Sequence, residues 1–423
     1  MKLLLLQRNF LFVTAGFFLI FTIALMVFPG EGLAAAKDGL KIFWEIVLPS
    51  LLPFFILTEI LLGLGVVHFF GVILEPLMRP LFNVPGAGAF ALSMGLAAGY
   101  PMDAVITGKF RRMGLCSRIE GERLLAFTNT ADPLFMFGAV AVGMFGRPEL
   151  GAIIALAHYL SAFSIGFLFR FYGRKKEGRS EKKEEIGGNA GAGLLRRAVK
   201  RMRQARKEDN RPVGQLLGDA VKESVNSLFM IGGFITLFSV LCRMLEVTGV
   251  VRLLQPVAGG LLKVFGLEPA LASSLLKGFF EIDLGVMAGA RAAAPLNDRL
   301  VVAGVIIAWS GLSVHSQVMS VIHGTDIRIF PYLAARAGHA FLAGLYTFLL
   351  NCLRKAAAGG SLPVTGSLSP GFLYRWYLST TGFLVLLGLL SFWSILLYLG
   401  GRYRLVRKGK RGREIGANPL ANG

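Results

Sequence analysis

At 423 residues, 54% apolar and with a mean hydropathy of +0.61, the chain carries more apolar surface than a water-soluble core of its size can enclose. The surplus must face lipid. Charged residues are only 17% of the chain, yet the formal net charge is +20 because Lys and Arg gather in a few stretches, the pattern of loops kept on one side of a bilayer. The long uncharged runs argue against a nucleic-acid partner, since they leave no basic face on a folded soluble domain.

The chain opens with Lys2 and Arg8 ahead of an apolar run, Phe10 to Phe28, whose 19 residues suit a retained span. Ala34 to Ala36 also fits a small-residue cleavage site, and in either case the next segment begins outside. Further full spans are expected near Ile46 to Val67, Leu124 to Phe145, Leu150 to Phe171, Val225 to Val247, Leu300 to Ile322, Ile329 to Leu350 and Tyr377 to Leu399. Between them lie two apolar stretches, Ala87 to Met113 and Ala270 to Ala293, each broken near its middle by Gly or charge.

Basic residues set the orientation. The loop from Arg174 to Arg211 holds 14 Lys and Arg against 6 acidic residues, and the tail from Arg402 to Arg413 adds seven more. Lys109, Arg111, Arg112, Arg118 and Arg123 form a third cluster. All three belong on the cytoplasmic side. With the N-terminus inside, this requires Ala87 to Met113 to be a hairpin re-entering from the cytoplasm and Ala270 to Ala293 one entering from outside.

The halves also match each other. At an offset of 180, Phe54, Leu57, Pro76, Gly86, Ser93 and Asp103 meet Phe234, Leu237, Pro256, Gly266, Ser273 and Asp283. The expected fold is therefore all-α and polytopic, with two inverted-topology repeats, each carrying a broken re-entrant helical hairpin. Its parts are an N-terminal helix (1–43), a first repeat (44–172), a basic cytoplasmic loop (173–219), a second repeat (220–353), and a last helix with a basic tail (354–423). Inverted repeats with discontinuous helices are the build of secondary transporters, whose substrate sits near the midplane where the broken helices meet.

Candidate site residues follow from those breaks. Gly99-Tyr100-Pro101-Met102-Asp103 interrupts the first hairpin, because Pro101 lacks a backbone donor, and Asp103 adds an ionisable group that is expensive inside a membrane. The plain alternative is a kink packed against neighbours. The second hairpin carries Lys277, Gly278, Glu281 and Asp283; Lys277 and Glu281 are four apart and could pair on one helix face, leaving Asp283 unpaired. Polar patches open the following spans: Thr128, Asn129, Thr130 and Asp132 in the first half, and Ser310, Ser313, His315 and Gln317 in the second. Asp132-Pro133 suggests another unwound turn, whereas Ser and Thr can also bond back to helix carbonyls. His158 and His339 fall on small-residue faces suited to helix packing.

No HExxH, GxSxG or paired Cys/His spacing appears, so no enzyme, metal or cofactor is expected, with a hydrolase using Asp132 and His315 as a distant alternative. Cys116, Cys242 and Cys352 show no disulfide or ligand spacing, and Cys242 reads as a small buried hydrophobe. Leu194 to Met202 fits either a basic amphipathic helix on the anionic inner leaflet or a solvated loop.

Leu48-Pro49-Ser50-Leu51-Leu52-Pro53-Phe54-Phe55, Gly99-Tyr100-Pro101, Thr128-Asn129-Thr130 and Gly311-Leu312-Ser313-Val314-His315-Ser316-Gln317-Val318 resemble the YlbJ-type sporulation integral membrane proteins. The halves of those proteins are the nucleoside-recognition, or Gate, domain that also occurs in concentrative nucleoside transporters. The resemblance covers roughly Trp44 to Cys352. It implies a multi-pass protein of the membrane around the developing spore, moving dipicolinic acid toward the forespore. Lys277 would then meet the carboxylates and Tyr100, Phe279 or Phe280 would stack on the ring. The expected partners are a small anionic substrate, a coupled proton or sodium ion, and the bilayer. A non-transporting scaffold or signalling component of spore maturation is the alternative.

Overall fold

The computed structural model describes residues 2–174 and 193–359. The expected span at Tyr377 to Leu399, the tail from Arg402 to Arg413 and the loop stretch 175–192 lie outside the described residues.

Every regular element among the described residues is helical, as expected for an all-α chain. After α1 (Lys2–Val27), α2 (Pro29–Ile42) passes through a π turn (Phe43–Val47) directly into α3 (Leu48–Gly63). The widened turn sits where Pro49 lacks the N–H that would close onto Glu45 and where its ring would crowd that carbonyl. The result is one helix, Pro29 to Gly63, rather than a span starting at Ile46. It also runs through the expected boundary between 43 and 44.

Next come the amphipathic α4 (Val66–Phe82), the hairpin α5 (Gly88–Ala98) and α6 (Met102–Arg112), α7 (Arg118–Thr128), a π-helical segment (Phe135–Met144) and α8 (Gly151–Phe169). After α9 (Leu194–Asp209), the same order of elements returns. A long α10 (Val213–Val247) leads to the amphipathic α11 (Val250–Val264) and the hairpin α12 (Ala272–Phe280) and α13 (Ile282–Arg291). An interrupted span, α14 (Leu296–Trp309) and α15 (Gly311–Ile322), and the long α16 (Ile329–Gly359) complete it. Gly65 and Gly249, at φ +76° and +80°, make the sharp turn before the amphipathic helix in each half, a left-handed conformation that suits glycine.

The two long helices pack antiparallel. Gly39 lies against Thr236 and Ser239, Gly232 against Phe43 and Gly63 against Leu216, each with no room for a Cβ. Ion pairs mark the ends of this pair. At one end Lys109 of the first hairpin bonds Glu59 and, at 2.9 Å, Glu223. At the other, Lys277 of the second hairpin bonds Glu246, beside Arg243 and Glu31 at 2.6 Å. The two hairpins are thus held at opposite ends of the same helix pair.

Five helices among the described residues are long and apolar enough to cross a membrane. Two of the expected spans differ from a plain crossing. Leu124 to Phe145 is the end of α7 followed by an irregular turn and the π-helical segment, and Leu300 to Ile322 is broken at Ser310. The polar patches therefore lie in the middle of these crossings, not at their openings. Each half-helix ends on backbone groups with no intrahelical partner, and those groups need side chains to meet them. Arg123, grouped in sequence with the cytoplasmic cations, is fully buried and donates to the Tyr172 and Asn83 carbonyls at 3.0 and 2.9 Å. It clamps the end of α8 to the end of α4. Arg111, by contrast, does face outward, paired with Asp326 at 2.6 Å.

Candidate functional site

Four interruptions converge at the centre of the molecule. In the first hairpin the helix stops at Gly99, whose φ of +72° and ψ of −162° only glycine adopts readily, and restarts after Pro101. A Cβ on Gly99 would fall 2.7 Å from Asp132 Oδ2, so this break lies directly against the break that follows α7. Asp132 itself accepts the Phe135 N–H at 2.9 Å and so caps the restarted segment.

Asp103, in the first turn of α6, is completely buried. Its Oδ1 accepts from Asn129 Nδ2 at 2.8 Å and its Oδ2 from Thr128 Oγ1 at 3.1 Å. It stands in the first turn of α6, where the helix dipole favours an anion. Thr130 is equally buried but only bonds back to the Thr128 carbonyl, at 3.4 Å.

The second hairpin breaks at the single residue Glu281, which is extended at φ −147° and ψ 132° and whose Oε2 accepts the Leu284 N–H at 2.9 Å. Ser310 and Gly311 both take φ +69° and interrupt the crossing opposite it. A Cβ on Gly311 would meet the Phe280 carbonyl at 3.0 Å and the Glu281 backbone at 3.2 Å. Trp309 ties the same two breaks together: its Nε1 donates to the Phe279 carbonyl at 3.1 Å, with the two rings stacked 5.6 Å apart. Each hairpin tip therefore meets the broken span of its own half.

The halves are then joined to each other. Tyr100 donates its hydroxyl to the Ile307 carbonyl at 2.9 Å, from the first hairpin to the last turn of α14. From α16, Tyr332 donates to Asn129 Oδ1 at 3.1 Å, and its oxygen lies 3.1 Å from His315 Nδ1. Arg336, one turn further on, donates to the Asn129 carbonyl and, at 2.8 Å, to that of Ala126. These are the orphan carbonyls at the C-terminal end of α7, where a cation suits the helix dipole. His158 accepts the Ala131 N–H on Nε2 at 3.0 Å, and the His339 ring lies 4.6 Å from it.

The candidates drawn from the sequence thus divide. Gly99, Tyr100, Pro101, Asp103, Thr128, Asn129, Thr130, Asp132, Glu281, Ser310 and His315 stand at the four breaks. Asp283 is half-buried in the first turn of α13, close enough for its charge to act on Glu281. Ser313 and Gln317 face each other along α15 at 3.4 Å. Gly278 serves packing, since a Cβ there would collide with Ile306 at 2.5 Å. Lys277 stands apart. It pairs with Glu246 on α10 and not with Glu281, because the extended residue at 281 turns that side chain into the cap of α13 and off the face of α12.

Tyr332, Arg336, His158 and His339 went unnoticed as site residues in the sequence. Arg336 carried a usable signal: it is an ionisable residue inside the apolar run Ile329 to Leu350, and such residues mark function. The two histidines had none, as their packing faces look ordinary. Among the described residues, no three His, Cys, Asp or Glu side chains are grouped to hold a metal ion.

The sequence model of the Gate family, described as nucleoside recognition, matches residues 44–174. The chain is 43% identical over 336 residues to the sporulation integral membrane protein YlbJ of Bacillus subtilis strain 168, covering 79% of this chain and 81% of that protein. No solved structure gives a significant match.

Proposed function

Since the chain belongs to the YlbJ family of sporulation integral membrane proteins, we propose that it is a secondary transporter of a small anionic metabolite, dipicolinic acid, in the membrane surrounding the forespore. The observation that carries this reading is the meeting of two broken hairpins, anchored at opposite ends of the antiparallel α2–α3 and α10 pair, with two broken spans. Two inverted repeats sharing a midplane site are the architecture in which one repeat rocks against the other to expose the site on alternate sides. Asp103, Asn129, Ser310, His315 and Arg336 are all at most 1% exposed, which corresponds to a state closed to both sides. Tyr100, Tyr332 and Trp309 supply flat aromatic faces for a planar heteroaromatic ring. The acidic residues at the breaks offer places for a coupled proton or sodium ion.

The test is uptake of dipicolinate by vesicles containing the purified protein. Uptake that is saturable, and reduced at least tenfold in Asp103→Asn and Glu281→Gln, is the expected result; equal uptake by vesicles lacking the protein would sink the proposal. The scaffold reading gains support from the ion pairs that tie both hairpins to the long helices. It predicts variants that block spore maturation while dipicolinate accumulates normally.

A further inference from the structure

The charges at the centre are unequally satisfied. Asp103 accepts from Thr128 and Asn129, Asp132 from the Phe135 N–H, and Glu281 from the Leu284 N–H. Three of the four central carboxylates thus have donors, two of them as helix caps, and Asp283 reaches partly open space. Arg336 is different. It is 0% exposed, its partners are two neutral backbone carbonyls and the Tyr100 hydroxyl, and its Nε has no acceptor. Asp103 is near enough for its charge to act on it, but no hydrogen bond joins the two; Asn129 lies between, its amide on the carboxylate and its main-chain carbonyl on the guanidinium.

A guanidinium closed off from water is costly to keep, and an ionisable residue at membrane depth marks a functional site by default. Its five donors form a planar fork matched to a carboxylate, and the unbonded Nε leaves one donor of that fork unused. The surroundings suit a flat acid. The Tyr332 ring lies 5.7 Å from the guanidinium carbon, and the His315 ring, edge-on to both Trp309 and Tyr332, has an unbonded Nε2. A guanidinium fork beside aromatic rings describes a site for an aromatic carboxylate.

We infer that Arg336 receives a carboxylate of the transported anion, through its unbonded Nε edge, and that its bonds to the Ala126 and Asn129 carbonyls hold the guanidinium in place for it. The inference rests on the transport reading and adds to it the cation that recognises the substrate. Lys277, the only cation on the second hairpin's α12, is already paired with Glu246 at the edge of the molecule.

The test uses the full-length protein in detergent and measures binding of pyridine-2,6-dicarboxylate and of its neutral diamide. Wild type binds the dicarboxylate and discriminates against the diamide. Arg336→Gln, which keeps a donor for the Asn129 carbonyl, loses about 30-fold or more in dicarboxylate affinity, the usual consequence of truncating a buried charged partner. Its melting transition and elution volume stay as in wild type. If this variant fails to fold, Arg336→Lys keeps the charge and loses the fork, and a drop of about tenfold for the dicarboxylate carries the same conclusion. A folded Arg336 variant that binds the dicarboxylate as wild type does overturns the inference, leaving Arg336 as the clamp of α7 and the transport reading intact. Wild type that binds the diamide equally well does the same. Wild type that binds neither compound sinks the transport reading, and the inference falls with it.

Discussion

Single residues decide whether the four breaks can meet. Gly95 lies so close to α7 that a Cβ would stand 2.5 Å from the Thr128 carbonyl, and Gly285 so close to α12 that one would stand 2.3 Å from the Gly278 Cα. Both obstacles are backbone, which cannot turn aside as a side chain can. Gly285→Ala should therefore part the two arms of the second hairpin and cost about 1–3 kcal/mol, the range for overpacking a tight interior. The measurement is the melting temperature of the purified protein, and Gly233→Ala, where a Cβ meets nothing within 4 Å, is the control expected to leave it unchanged. At this scale the sequence was legible where a residue was chemically out of place. Asp103, Asn129 and Glu281 stood out as polar groups among apolar neighbours. Arg336 carried the same signal inside an otherwise apolar stretch, and only its bonds to α7 reveal what it serves.

Among the elements, the hairpins were the most legible, since Pro101 cannot donate within a helix and the charges from Lys277 to Asp283 are costly in apolar surroundings. The broken spans were less so, because apolar residues on both sides of Asn129 and Ser310 read as one continuous crossing. Helix α9 is the choice that the sequence left open. It is a helix, and it packs Ala198 inward while Arg196, Lys200, Arg203 and Lys207 remain on its exposed side.

Its link to α10 is held by charge: Arg211 bonds Asp209 at 2.8 Å and Asp219 at 2.9 Å. The hydrogen bond from Arg211 holds the Asp209 carboxyl below its ordinary range. A carboxylate with a depressed value contributes stability above its unfolded value and loses it as pH falls through the folded one. Protease cleavage after the basic residues of α9 should consequently stay slow at neutral pH and accelerate below about pH 4. Asp209→Asn should show the faster cleavage already at neutral pH, and identical digestion of the two proteins would argue against the clamp.

For the whole molecule the decisive property is orientation. Lys109 and Lys277 anchor the hairpins at opposite ends of the long-helix pair, so α9 and the exposed end of α11 should face opposite sides of the membrane. In a background without the native cysteines, Lys200→Cys should react with an impermeant thiol reagent only from the cytoplasmic side. Val264→Cys, at a position 79% exposed, should react only from the other. Labelling of both from one side would refute the inverted arrangement. Breaking the Lys277 pair with Lys277→Ala should loosen the second hairpin and alter transport rate more than substrate affinity, measured as separate rate and half-saturation constants for uptake. An unchanged rate with weakened affinity would instead return Lys277 to the binding site.

Sequence alone determined that the chain is helical and lives in a membrane, where its hairpins break, and which loops carry the positive charge. These are properties of composition and local order: a spanning backbone must satisfy its own polar groups in lipid, and a proline removes one donor wherever the run is placed. The tertiary structure decided which interruptions face one another. Asp103 finds Asn129 across 26 residues, and Arg336 finds the Asn129 carbonyl across 207, because unfulfilled backbone groups at each half-helix end are met by whatever side chain the packing brings. That pairing depends on helix crossing and close approach through small residues, which no local pattern encodes.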